Sequence, residues 1–290
     1  MWRVDPPCQE TMTTPITLAY LGPAGTFTEE AARQYRPDAT LVPCPTIPAI
    51  ARAVLDGSAE QGVFPIENSL QGAVTDTLDL LIHGDGLRIT QEIAIPISHC
   101  LVMKPGTDLG AITRVYSHPQ ALGQCREYLE RKFPNAEVAA SLSTAAAVQQ
   151  ALDSPTPAAA ISNRRAAELT GAEVVEEGVQ DNPNNVTRFV VLAKADHAPT
   201  GRDKTSICFS FAADKPGQLY WAMGEFAQRN VNLSKVESRP TRMGLGQYYF
   251  LVDLEGHRED PVVKEALTNL GKATSLLKIF GSYPRYTLPS

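Results

Sequence analysis

The sequence predicts an α/β protein, with a two-lobed unit around a cleft followed by a smaller unit of different element order. Three observations carry that expectation. Short apolar strands alternate with amphipathic helices from residue 16 to about 194. A long extended stretch at 87–104 interrupts the alternation once, and beyond a polar segment at 197–204 the order changes to βαββαβ. At 290 residues the chain is long for one core and sufficient for two.

Residues 1–15 are rich in Pro and Thr and read as a loose extension. ITLAYLG (16–22) reads as a buried strand, with a helix from about Thr28 to Tyr35 after it. TLVPC (40–44) is a strand, and IPAIARAVLDG a helix that Gly57 ends. QGVFPIEN holds a third strand and VTDTLDLLIHG a third helix, so the first block predicts a mostly parallel sheet flanked by helices. LRITQEIAIPISHCLVMK (87–104) is apolar and extended, without a convincing helix. The alternation restarts with ITRVYS, a helix over 119–133, AEVAAS, a helix over 144–152, AAAIS and a helix over 163–170. NNVTRFVVLAK (184–194) closes it as a strong strand.

Two such blocks joined by extended crossings predict the two-lobed shape of periplasmic binding proteins, whose cleft suits a small ligand. After HAPTGRDK (197–204), the run from TSICFSFAA to SLLKIFGSYP reads as a ferredoxin-like plait. The expected units are therefore 1–15, 16–197 and 204–290.

Residues 1–203 carry 15 Lys and Arg against 24 Asp and Glu, and residues 204–290 carry 11 against 8. Neither half holds the basic stripe that nucleic acid requires, so no such partner is expected. The five cysteines (8, 44, 100, 125, 208) are odd in number and lack paired short spacings, which argues against a disulfide framework and against a zinc cluster. The five histidines lack ligand spacing, so no metal is expected. The N-terminus has no apolar core of a signal peptide, and no stretch approaches the roughly 18 apolar residues of a span, which predicts a cytoplasmic protein without membrane contact.

Strand-to-helix junctions repeatedly carry Gly and hydroxyl residues: GPAGTFT (22–28), ENSLQGA (67–73), SHPQ (117–120), Ser143-Thr144 and Ser162-Asn163. Helix N-termini present unpaired N–H groups and suit anions. For any one junction a plain N-cap is the commoner reading, and Thr26 with Glu29 fits a capping box. Several junctions converging on one cleft would instead indicate a small anionic ligand. GPAGTF lacks the lysine of a Walker loop and GLG (244–246) lacks the third glycine of a dinucleotide fingerprint, so no cofactor is expected.

Within SHPQALGQC, Ser117, Gln120 and Gln124 share one helix face, which could hold a ligand or simply face water. Glu67-Asn68 ends a strand at the edge where α/β sheets bind ligands, although a lone Glu is more often a loop carboxylate. In NNVTRF a regular strand points Thr187 and Arg188 to opposite faces, so one serves the cleft and the other is structural.

YLGPAGTFTEEAA, GVFPIENSLQGAVTDTLDLL, YSHPQALGQC, AAAISNRRAAEL and NNVTRF together resemble prephenate dehydratase, in order and spacing. ESRPTR resembles the second strand of that family's ACT domain, and the likeness covers about residues 16–285. The resemblance implies a lyase that turns prephenate into phenylpyruvate, CO2 and water for phenylalanine synthesis; chorismate mutase activity is not implied. It assigns Thr187 to the departing ring hydroxyl and Glu67, Asn68, Ser117 and Gln124 to the catalytic pocket. Thr26, Ser162 and Asn163 join as anion-binding groups at helix starts, with Arg188 as a further substrate-binding candidate. His118 is tempting as a general acid, and a capping role is as good a reading.

By the same likeness, Gly217, Gln218 and Leu219 with Glu237, Ser238, Arg239 and Pro240 would bind an amino-acid effector, phenylalanine first. Gln218 and Tyr220 stand where relatives carry smaller apolar residues. ACT domains would pair the chain as a homodimer or homotetramer, and a chain cut before residue 200 should keep part of its activity and lose feedback. The competing readings are an arogenate dehydratase and a non-catalytic sensor of a small acid.

Overall fold

The computed structural model describes residues 15–242, 244 and 246–286. The expected loose extension at 1–15 lies, except for Pro15, outside them. In chain order the first elements are β1 (Thr17–Leu21), α1 (Phe27–Tyr35), β2 (Thr40–Cys44), α2 (Ile47–Asp56), β3 (Gln61–Asn68), β4 (Gly72–Ala73), α3 (Thr75–His83) and β5 (Arg88–Pro96). There follow β6 (Cys100–Met103), β7 (Arg114–Ser117), α4 (Pro119–Gln124), α5 (Arg126–Lys132), β8 (Glu137–Ala140), α6 (Thr144–Leu152), β9 (Ala158–Ser162), α7 (Arg164–Thr170), β10 (Glu173–Glu177) and β11 (Val186–Ala193).

The first lobe is built on a sheet of order β2-β1-β3-β11-β5, and the second on β10-β6-β9-β7-β8. Alternation along the strands covers both faces of each sheet. Leu18, Tyr20, Val63, Phe189 and Val191 pack with Ala31 and Ala32 of α1. Ala19, Phe64, Val190 and Leu192 pack with α2 and α3 on the other side. In the second lobe Ala158 and Ala160 face α6 and α7, while Ala159 and Ile161 face α4 and α5.

The two-lobed architecture is as expected, but three details differ from the sequence reading. The sheets are mixed: β1 runs parallel to β2 and β3, whereas β11 is antiparallel to both β3 and β5, and β6 is antiparallel to β9 and β10. A parallel neighbour needs a crossover of about a dozen residues, usually a helix. Strands that pass directly between lobes, at 97–99 and 178–185, escape that constraint. The expected helix over 119–133 breaks at Cys125, because Asp181 from the second crossing accepts the N–H groups of Glu127 and Tyr128 at 3.1 Å each. That cap is remote in sequence, and helix periodicity cannot show it. The strand β10 was not anticipated either.

The remaining elements are β12 (Asp203–Ser210), α8 (Gln218–Ala227), β13 (Leu233–Pro240), β14 (Tyr248–Glu255), α9 (Pro261–Ala273) and β15 (Leu276–Pro284), with an antiparallel sheet of order β13-β14-β12-β15. One face packs on α8 and α9 through Phe209, Phe226, Leu254 and Leu270. The other joins the first lobe: Cys208, Tyr249, Leu251, Phe280 and Tyr283 form one apolar cluster with Ile50, Leu81 and Ile89. At Gly281 strand β15 lies so close to β5 that a Cβ would be driven into the backbone of Ile89. Among the described residues no helix is long and apolar enough to cross a membrane.

Candidate functional site

The cleft between the lobes encloses about 580 Å³. Five helix starts reach it, α1, α2 and α3 from the first lobe and α4 and α6 from the second, at Thr26, Ile47, Asp76, His118 and Ser143 or their neighbours. Among the described residues that line it there is no Lys or Arg. Helix N-termini carry partial positive charge, so the converging helix ends are the groups that could hold an anion there, beside the Asp76 carboxylate.

At the back of the cleft β3 and β11 pair so that Thr187 lies opposite Asn68 and Arg188 opposite Glu67. The ladder then skips Ile66, pairing Phe189 with Pro65. This bulge lets Pro65, Asn68, Thr187 and Phe189 all line the cleft while Glu67 and Arg188 face away. Asn68 is held on every side. Its carbonyl oxygen accepts from the N–H groups of Leu70 (3.0 Å) and Gln71 (3.1 Å). Its NH2 donates to Asn185 Oδ1 at 2.7 Å and to Thr187 Oγ1 at 2.9 Å. The hydroxyl of Thr187, a residue only 9% exposed, therefore accepts a hydrogen bond from Asn68, and its own proton remains to be given elsewhere.

On the second lobe, Gln124 Oε1 lies 2.8 Å from Nε2 of His99, a buried residue of the first crossing. Burial holds the His99 imidazole below its ordinary value, with Gln124 opposing in part. The neutral ring can donate from Nε2 to the amide oxygen and leave the Gln124 NH2 for the cleft. His118 also lines the cleft. Its Nδ1 accepts the Gln120 N–H at 3.3 Å, as an N-cap, and burial depresses its basicity. The Gln120 amide bonds Gln71 of the opposite lobe.

Of the sequence candidates, Thr26, Asn68, Gln124 and Thr187 line the cleft. Thr26 spends its hydroxyl internally, accepting from Glu29 N–H at 3.4 Å and donating to Leu21 O at 2.9 Å. The Glu29 carboxylate reaches the Gly25 N–H, one residue short of the N-cap a capping box would use. Ser117, Ser162 and Asn163 lie behind the cleft wall. Ser117 donates to Ile161 O (2.6 Å), Ser162 to Thr144 O (2.9 Å), and Asn163 caps α7 through Ala166 N–H (2.9 Å). Glu67 and Arg188 meet at 3.0 Å on the far side of the strand pair, in an ion cluster with the C-terminal sheet. Sequence reasoning passed over His99, Asp76 and Leu142. The last is 96% exposed on the second lobe at the cleft edge. No local spacing distinguishes these three, since each reaches the cleft only through the way the lobes meet.

A second concavity, about 570 Å³, lies at the start of α8, lined by Gly217, Gln218 and Leu219 together with Phe211, Tyr248 and Phe250. The segment Glu237–Pro240, expected to bind an effector, is split by strand alternation. Glu237 and Arg239 turn toward the first lobe, where Arg239 meets Asp79 of α3 at 2.6 Å, whereas Ser238 and Pro240 are exposed.

The family model for prephenate dehydratase matches residues 18–197. A bifunctional chorismate mutase/prephenate dehydratase of Aquifex aeolicus (strain VF5) is 41% identical over 274 residues, covering 94% of this chain and 75% of that relative. An arogenate dehydratase/prephenate dehydratase 2, chloroplastic, of Arabidopsis thaliana is 38% identical over 280 residues, covering 93% of this chain and 73% of the relative. Among solved structures, prephenate dehydratase from Arthrobacter aurescens in complex with L-Phe aligns with a TM-score of 0.85 at 40% identity, over 93% of this chain and 90% of that one.

Proposed function

This chain belongs to the prephenate dehydratase family, and on that premise we infer that it converts prephenate to phenylpyruvate, CO2 and water, with Thr187 and Asn68 at the reacting centre. The observation that carries the site is the direction of the Asn68 to Thr187 hydrogen bond inside a cleft ringed by helix starts.

Prephenate brings two carboxylates and a ring hydroxyl. The bond from the ring to its carboxylate breaks and its electrons enter the ring. The bond to the hydroxyl breaks at the other end, and the departing hydroxide takes up one proton to leave as water. Aromatisation supplies much of the drive. A threonine hydroxyl is too weak an acid for pKa-matched proton donation. Polarised by the Asn68 donor, Thr187 instead hydrogen-bonds the departing oxygen and stabilises the charge that develops there. The helix ends hold the dianion without a cationic side chain, and Gln124, oriented by His99, offers its NH2 to a carboxylate or the keto oxygen.

The concavity at α8 supports a further reading, that phenylalanine binds there and regulates turnover. Edge strand β13 is uncovered, with Val236 half exposed, and so supports pairing of two copies that would bring Ser238 and Pro240 toward that concavity. Light scattering with and without phenylalanine tests the homodimer or homotetramer. Arogenate, named for the Arabidopsis relative, is the rival substrate. The deciding experiment is phenylpyruvate formation from purified protein and prephenate, with and without phenylalanine and with arogenate as control. Turnover of prephenate that phenylalanine alters supports both readings, and preference for arogenate replaces the substrate.

A further inference from the structure

Asn68 and Thr187 form one rung of the β3–β11 ladder, and Glu67 and Arg188 form the next, on the opposite face. The second rung is gripped by the C-terminal sheet and by Glu92 of its own lobe. Arg188 Nη1 meets Asp253 of β14 at 2.8 Å and Glu92 of β5 at 3.3 Å, and Lys235 of edge strand β13 meets Glu67 at 3.2 Å and Glu237 at 3.0 Å. Lys204 of β12 closes the ring on Glu92 at 2.8 Å. Asp253 is itself held by Ser206 Oγ at 2.6 Å, which also pairs with the buried Tyr283 hydroxyl at 2.6 Å.

From these contacts we propose that Asp253 and Lys235 are positioning residues for the dehydratase reaction, acting on Thr187 and Asn68 through the Arg188–Glu67 rung. This rests on the function proposed above. Three features favour it over a merely cohesive ion cluster. Buried charges are costly, and well-packed apolar groups of the same volume often hold proteins together as well or better. The cluster is not tuned for cohesion, since Arg188 Nε is buried without an acceptor among the described residues. The two residues it grips, Arg188 and Glu67, are the chain neighbours of Thr187 and Asn68 and form the adjoining rung, so a shift of the C-terminal sheet moves them against their strands and turns the opposite faces with them.

The test uses the full chain with Asp253→Asn and Lys235→Met, each checked for cooperative melting. Lys235 sits on an edge strand and should tolerate replacement if Asp253→Asn does not fold. We expect kcat to fall about 10- to 100-fold with KM within about threefold, as for small misplacements of reacting groups. In a Thr187→Ala background the loss should largely vanish, because there is no hydroxyl left to misplace. The Asn68 side-chain amide resonance should also move in both variants, a readout that needs no turnover. Unchanged kcat in a folded variant, or effects that multiply with those of Thr187→Ala, would overturn the proposal. A wild-type chain inert toward prephenate would sink the proposed function, and the Asn68 resonance would then still decide whether the sheet positions this pair.

Discussion

At Thr187 one hydrogen bond decides what the side chain can do. Because Asn68 donates to its oxygen, the threonine is left as a donor toward the cleft. Thr187→Ala should therefore cost about 10²- to 10³-fold in turnover, in line with loss of a single preorganised donor, whereas Thr187→Ser keeps the hydroxyl and most of the rate. Steady-state kinetics on both, with melting curves to show the fold intact, checks this. His99 makes a pH prediction. Its folded pKa lies below its ordinary value because burial disfavours the imidazolium. Its contribution to stability is therefore complete above about pH 6.5 and is lost as pH falls through the lower folded pKa. Urea midpoints should drop as pH falls below about 6.5, and His99→Gln should flatten that slope in part, since burial shifts His118 the same way. Of these residues Thr187 and Asn68 were reached in the sequence through the family motifs, strand alternation alone leaving Thr187 and Arg188 open. His99 was not, because its partner Gln124 is 25 positions away on another element.

Among the elements, the turn into α1 shows local sequence and tertiary contact demanding the same residue. Gly25 has φ +85°, and a Cβ there would lie 3.0 Å from Cα of Ala166 in the second lobe. The Glu29 carboxylate, which takes the Gly25 N–H, is also bonded by Arg33 at 2.7 Å and lies 3.4 Å from Arg165 of the second lobe. Gly25→Ala should destabilise the protein by about 1–2 kcal/mol from backbone conformation alone, more if the lobes must separate, as chemical denaturation would measure. Helix starts, Gly ends and strand alternation were readable because they are set within a few residues. The break at Cys125 and the bulge at Ile66 were not, because a remote cap and a partner strand impose them.

For the whole molecule, the sequence suggested two separable cores, and the structure joins them. The C-terminal sheet shares the apolar cluster of Ile50, Leu81 and Ile89, and Lys278 reaches Ile82 O at 3.1 Å. Removing residues 204–290 would uncover that face and take Lys204, Lys235, Glu237 and Asp253 from the ion cluster, leaving Arg188 with Glu67 and Glu92 and an excess of carboxylate. The expected result is a fragment with poor soluble yield or without a cooperative melt, rather than one that keeps part of its activity and loses only feedback. Expression and calorimetry of the fragment test this. The sequence by itself determined most of the element order, the cleft-forming alternation of two blocks, the plait that follows and the family, since periodicity, capping and motif order are local properties of the chain. Only the tertiary structure decided which side of each strand met the cleft, that five helix ends converge there with no Lys or Arg among the described lining residues, and that Glu67 and Arg188 face the sheet behind it. Those outcomes depend on how distant elements meet, and burial and charge pairing between them are not written at any one position.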